Sequence, residues 1–384
     1  MHPPARIIQL DGLRGLAMLM VMTHHYMGDL GMTPNSSALL LALRAVFHSS
    51  WIAGDMLFVL SGFLITSIVI KQGHIRGFSR VFYLRRGTRT VVPYYLFLLV
   101  CFTATFFFEH GDNTPWFFFL THLQALSLSL SLTLPHMVVL WTLSWEEWFY
   151  VLLPFFFRSG GRQTLFRVSL MGLALAPTVR FLHSSFFPMS WEYAFVLRPD
   201  GLFWGMLLAL AASDPQWTEK IRRHLAVQKI FALLGFGCLC WISYDWWHHP
   251  PFSAAGMNIL FCFIPFTSFH ILTTVLIGGD RLAFNRFLAA KSLQYVGRIS
   301  FGLYLYHELF RLIMLKYLGV DSSMALVLAA LASCSLAIAS WHYLEAPMIR
   351  FGHRFQYGAT TSSILRALME SLFPRTKRTV GLES

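Results

Sequence analysis

The residues in this chain with most chemistry to offer stand inside its most apolar stretches. Asp11, Arg14, Met18, Met22 and His25 follow one another at steps of three or four, so a helix carries them on one face. Asp55, Val59, Gly62 and Thr66 repeat the pattern, as do Ser300, Tyr304, His307 and Arg311. Thr142, Glu146 and Tyr150 form a further stripe, with Trp141 and Trp145 alongside. A charged group at the centre of a membrane helix costs roughly 2.5–3.5 kcal/mol on insertion scales. Four such stripes are therefore expected to turn toward a shared interior. Histidines paired with carboxylates suit proton transfer, because imidazole titrates near neutrality. The competing reading is that these groups satisfy one another and only hold helices together. It accounts for one such residue more readily than for two histidines, two carboxylates and an arginine cluster.

The arginines follow the second apolar run, in Phe82-Tyr83-Leu84-Arg85-Arg86-Gly87-Thr88-Arg89. On a helix Arg85 and Arg89 share a face and Arg86 sits beside them. Three converging guanidiniums suit a multiply charged phosphate ligand, since each grips phosphate oxygens with a two-point fork. The same cluster also suits plain orientation of the chain or attraction to anionic lipid heads. His24 and Asp29 have the H-x4-D spacing of glycerolipid acyltransferases, but so short a pattern often arises by chance, and the flanking residues do not fit.

The elements that must carry these groups are membrane helices. The 384 residues are 56% hydrophobic and 12% charged, against about 25% charged in soluble domains. Mean hydropathy is +0.56. The net charge of +12 does not point to nucleic acid, because the basic residues fall between apolar runs, where they set orientation. Five cysteines, Cys101, Cys238, Cys240, Cys262 and Cys334, all lie in apolar stretches without disulfide or zinc spacing, so no metal is expected. Asp11 and Arg14 interrupt the first run and no A-x-A-like site closes it, so it is read as a retained span.

Apolar segments of spanning length lie near 8–27, 53–70, 92–110, 138–157, 165–183, 196–212, 228–247, 254–277, 295–317 and 324–344. The expected fold is thus an all-α polytopic transmembrane bundle of about ten spans. Basic loops at 71–89, 158–167, 220–223 and 281–291 all fall inside if both termini are cytoplasmic. Counting 116–134 as a full span would put the later clusters outside, so that segment is expected to be re-entrant or interfacial. Arg44, Arg311 and Lys316 run against the bias. Residues 1–350 are read as one membrane domain and 351–384 as a basic cytoplasmic tail. In the tail Ile364, Leu365, Leu368, Leu372 and Phe373 make one apolar face, suited to lying on a membrane surface.

Seven stretches in order resemble the acyltransferase 3 family of integral membrane O-acyltransferases, from about Leu10 to Arg350. They read LDGLRGLAMLMVMTHH, GDMLFVLSGFLIT, FYLRRGTRTVVPYY, LWTLSWEEWFYVLLP, RPDGLFWGMLLA, GRISFGLYLYHELF and LEAPMIR. The resemblance implies transfer of an acyl group, often acetyl, from acyl-CoA to a hydroxyl, commonly on a carbohydrate or cell-envelope glycan. It implies residence in a bacterial cytoplasmic membrane. The family's first-helix histidine falls on His25, its arginine motif on Arg85, Arg86 and Arg89, and its acidic position on Glu146. Tyr304 and His307 match the late tyrosine and histidine. Leu57 stands where phenylalanine is usual, and Trp145 and Trp148 replace commoner residues beside the glutamates.

Such a transfer needs a base for the acceptor hydroxyl, and His25 is expected to be that base, with Glu146 holding its tautomer or stabilising the imidazolium. Arg85, Arg86 and Arg89 bind the CoA phosphates, and Arg14 lines the path of the thioester arm. Asp55, Trp141, Ser144, Tyr150, Tyr304 and His307 complete the substrate-binding set. Some relatives append an extracytoplasmic hydrolase-like domain. None is present in these residues, so an acyl relay is expected to use a separate partner. Other readings are an acyltransferase acting on a glycosylated metabolite, or a proton-coupled transporter, since membrane histidines and carboxylates serve proton relays too. Against the transporter, no pair of Gly/Pro-broken helices recurs in two related halves.

Overall fold

The computed structural model describes residues 7–27, 37–108, 116–129, 135–186, 197–246, 254–317, 322–359 and 362. Among them every regular element is helical. Helix α1 is Ile8–Met27, α2 Ala38–Ser49, α3 Ala53–Gln72, α4 Phe78–Arg86 and α5 Val92–Phe108. The π-turn Gly87–Val91 joins α4 to α5. Two short helices follow, α6 Trp116–Leu120 and α7 Gln124–Ser129. The continuous run Trp141–Phe186 is broken at Gly160 and Gly161 into α8 (141–159) and α9 (162–186). Gly161 has φ +61, a left-handed value that glycine adopts without a Cβ clash. Then come α10 Asp200–Ala212, α11 Pro215–Arg223, α12 Leu225–Trp246, α13 Ala254–Gly278, α14 Ala283–Leu288, α15 Lys291–Tyr317, α16 Ser322–Ser340 and α17 Ala346–His353.

A helix lies in each of the ten apolar segments read from the sequence. Five stretches among the described residues are long and apolar enough to cross a membrane: Ala45–Gln72, Met137–His183, Leu225–Ile242, Gly256–Arg281 and Met324–His353. Three further helices miss that standard for physical reasons. Asp11 and Arg14 interrupt α1, α15 carries Arg298, Glu308 and Arg311, and α10 has 13 residues. Of the segment 116–134, expected to be re-entrant or interfacial, residues 116–129 form α6 and α7, of five and six residues, with a turn between them, and 130–134 lie outside the described residues. Neither helix approaches the ~20 residues that a hydrocarbon core requires. The apolar face expected at 364–373 lies outside the described residues.

Helix packing sets the site. In lipid, helices gain little from the hydrophobic effect and associate through close van der Waals contact, which favours small residues. Gly15 and Gly297 seat α1 on α15. A Cβ at Gly297 would stand 2.0 Å from the Asp11 carbonyl oxygen, and one at Gly15 would stand 2.1 Å from that of Leu293. That close approach brings the last turn of α1 against the middle of α15. The same principle joins α3 and α10 through Gly62 and Gly205. The core around these contacts includes Leu13, Ala17, Met18, Val59 and Leu303, all buried.

Candidate functional site

A cavity of about 400 Å³ opens between α1, α3, α8 and α15 and reaches the π-turn after α4. Arg14 and His25 line it from α1, Ser61 from α3, Arg86 and Arg89 from around the π-turn, and Tyr304 from α15. Trp141, Glu146 and Tyr150 contribute from α8. Eight of the twelve residues expected at a site thus share one space. From position 14 to position 25, eleven residues on, α1 rises about 16 Å at 1.5 Å per residue. The cavity is therefore long enough to hold a cationic end apart from a histidine end.

At the cationic end the Arg86 guanidinium lies over the Tyr150 ring, 5.0 Å from its centroid. Tyr150 donates its hydroxyl to Glu146 Oε2 at 3.1 Å, and Ser61 Oγ donates to Glu146 Oε1 at 2.7 Å. Glu146 also interacts electrostatically with Arg14 and Arg86. Its carboxylate is thus engaged by α3 and α8 and balances arginine charge. The expected contact with His25 does not form. Tyr304 donates its hydroxyl to the Val139 carbonyl and so accepts from Thr142 Oγ1, at 2.6 Å. With its proton committed, Tyr304 shapes the wall.

His25 Nδ1 stands 3.8 Å from Glu308 Oε2, and its ring centroid lies 5.2 Å from that of His307. Glu308 in turn is held by Arg311, whose Nε donates to Oε2 at 2.9 Å and Nη2 to Oε1 at 2.6 Å. The sequence reading passed over Glu308, because it lies one residue off the stripe of Tyr304 and His307. The signal that would have found it is Arg311 three residues on, an opposite charge at pairing distance in an apolar helix.

Four expected site residues lie elsewhere. Arg85 turns away from the cavity, its Nε and Nη2 donating to the Phe355 carbonyl at 3.0 and 2.6 Å, and it stacks on Tyr357 at 4.4 Å. Asp55 is 3% exposed and ion-paired with Arg198. Ser144 donates to Gln124 Oε1 at 2.6 Å and accepts from the Ala125 amide at 3.0 Å, fastening α7 to α8. His307 is 0% exposed, with Nδ1 2.8 Å from the Tyr304 carbonyl and 3.1 Å from that of Leu303. Carbonyls only accept, so Nδ1 carries the proton. Among the described residues no group of three or more His, Cys, Asp or Glu is arranged to hold a metal ion.

Arginines, histidines and carboxylates gathered around a cavity in an all-helical bundle with long apolar helices mark an integral membrane protein with a polar interior. The chain belongs to the acyltransferase 3 family, whose profile, described as an acyltransferase domain, matches residues 7–344. It is 23% identical to the O-acetyltransferase OatA of Staphylococcus aureus (strain NCTC 8325 / PS 47), over 92% of this chain and 59% of that protein. It is 24% identical to the peptidoglycan O-acetyltransferase OatA of Listeria monocytogenes, over 89% of this chain and 56% of that protein. The chain thus spans less than two thirds of the length of these curated relatives. No solved structure matches it.

Proposed function

We propose that this protein is an O-acyltransferase of a bacterial cytoplasmic membrane that moves an acetyl group from acetyl-CoA to a hydroxyl of a cell-envelope glycan. The observation that carries the reading is the single cavity lined by Arg86 and Arg89 at one end and His25 at the other. Guanidiniums grip phosphate oxygens with paired, charge-assisted hydrogen bonds, which suits the phosphates of CoA. Arg14, nearer that end on α1, lines the path of the thioester arm, and Glu146 offsets the arginine charge. Asp55, Ser144, Arg85 and His307 act through the surrounding structure, which is a change from the roles the sequence suggested. The chain is read as crossing the bilayer ten times with both termini cytoplasmic, so the donor enters from the cytoplasm and the reaction lies in the outer half. The peptidoglycan named for the Listeria relative makes an envelope glycan the favoured acceptor.

In this mechanism His25 takes the proton of the acceptor hydroxyl as its oxygen attacks the thioester carbonyl carbon. A C–O bond forms, the C–S bond breaks, and His25 returns the proton to the departing CoA thiolate. The products are the acetyl ester and free CoA thiol. The test is incubation of purified protein with radiolabelled acetyl-CoA and cell-envelope fractions. Label in the glycan fraction, with one CoA thiol released per acetyl transferred, is expected. Label only in a small glycosylated metabolite would reassign the acceptor. No CoA release in any fraction would overturn the reading.

A further inference from the structure

We infer that Glu308 is the positioning residue that sets the tautomer and aim of His25, an inference that rests on the reading of His25 as general base. Glu308 is 5% exposed and sits on α15, about three turns beyond the Gly297 contact that seats that helix on α1. Arg311 binds both of its oxygens, at 2.9 and 2.6 Å, which fixes the plane of the carboxylate. One of those oxygens, Oε2, faces His25 Nδ1 at 3.8 Å. That separation exceeds a hydrogen bond, and catalytic hydrogen bonds commonly tighten only once substrate is bound.

The consequence is chemical. A carboxylate accepts and cannot donate, so it favours the tautomer of His25 with hydrogen on Nδ1. Nε2 then keeps its lone pair for the acceptor hydroxyl, and the imidazolium formed in the reaction has an anion beside it. Glu146 is occupied by Ser61 and Tyr150, and the His307 Nδ1 proton is committed to backbone carbonyls. His307 Nε2, whose ring lies beside His25, makes no hydrogen bond among the described residues, but a neutral lone pair cannot offset an imidazolium as a carboxylate can. Arg311 runs against the charge bias of the loops, and its pairing with Glu308 supplies a reason for its place.

The experiment compares wild type, Glu308→Gln, Glu308→Asp and His25→Ala as full-length purified proteins. Transfer is read with radiolabelled acetyl-CoA and envelope fractions, and acetyl-CoA binding is read separately. Glutamine keeps the size of the side chain but can present an amide donor to Nδ1, which favours the wrong tautomer. For Glu308→Gln the expected result is a fall in kcat of ~10²–10⁴, as for loss of the orienting carboxylate in a catalytic triad. Acetyl-CoA affinity should stay within about twofold, because the phosphates are held by other residues. Glu308→Asp, with its carboxylate kept but set back, should recover about tenfold or more over the glutamine variant. A purely structural role predicts the reverse order, with the isosteric glutamine near wild type and the shortened aspartate worse. That order, or loss of donor binding in both variants, would overturn the inference. Wild-type turnover in Glu308→Gln while His25→Ala is inactive would overturn it and leave the base in place. Full turnover in His25→Ala would instead overturn the reading on which it rests.

Discussion

Asp55 stands on a helix face that invites a substrate role, yet its surroundings make it a structural anchor, and the two roles predict different outcomes when it is changed. Its carboxylate is ion-paired with Arg198, which precedes α10, and the two groups are 3% and 1% exposed. The Arg198 guanidinium also lies 5.0 Å from the Trp51 ring centroid and 4.6 Å from that of Phe261. Removing one member of a buried pair leaves an uncompensated charge and costs about 3–5 kcal/mol. Arg198 keeps its aromatic faces after Asp55→Asn, and Asp200 still acts on it electrostatically. The loss should therefore fall near ~3 kcal/mol, the lower end of that range. Replacing both groups, Asp55→Leu with Arg198→Met, leaves no orphaned charge and should cost less than either single change, since apolar substitutes for buried pairs are often neutral. The assay is thermal unfolding of the purified protein in one detergent, arranged as a double-mutant cycle, which isolates the pairwise energy. Acetyl-CoA binding is measured below every transition. A double variant less stable than both singles would refute the anchoring argument. So would an Asp55→Asn protein of unchanged stability that fails to take part in transfer.

The arginines separate in the same way. Arg86→Ala should weaken acetyl-CoA binding about 10- to 150-fold, the equivalent of one charge-assisted hydrogen bond of roughly 1.5–3 kcal/mol, and Arg86→Lys should restore part of it. Arg85→Ala should lower thermal stability, through loss of its bonds to the Phe355 carbonyl, while leaving donor affinity within about threefold. Equal losses of affinity at both positions would contradict the separation. For topology, a cysteine placed at position 162, at the start of α9 just after the Gly160–Gly161 break, should react with an impermeant thiol reagent only after the membrane is opened. Labelling on intact cells would contradict a cytoplasmic loop there.

Much of the fold is legible in the sequence because membrane helices are written in long apolar runs, and the stripes at steps of three and four follow from helical geometry alone. That is why Arg14, His25, Glu146 and Tyr304 emerge together around one cavity. Periodicity assigns a side chain to a face but says nothing about what meets it there. Arg85 is claimed by a carbonyl 270 residues away, and Asp55 by a guanidinium 143 residues away. Both partners come from segments that bear no local mark of the pairing. Ser144 looked like part of a substrate motif, yet it secures α7, a connection that depends on how the chain turns back after α6. Glu308 was hidden for the opposite reason. It lies beside the expected stripe rather than on it, and it reaches His25 because glycines let α1 and α15 approach closely.

The account turns on His25 as the group that takes the acceptor proton, and one paired measurement bears on it most directly. Acetyl transfer from radiolabelled acetyl-CoA is followed in membranes carrying wild type or His25→Ala, and acetyl-CoA binding is measured on the same proteins after purification. Transfer should fall by ~10²–10⁴ in His25→Ala, the usual cost of losing a positioned base. Donor affinity should hold within about twofold, because Arg86 and Arg89 lie at the far end of the cavity. Undiminished transfer by His25→Ala would contradict the account, as would loss of transfer that merely tracks a loss of donor binding.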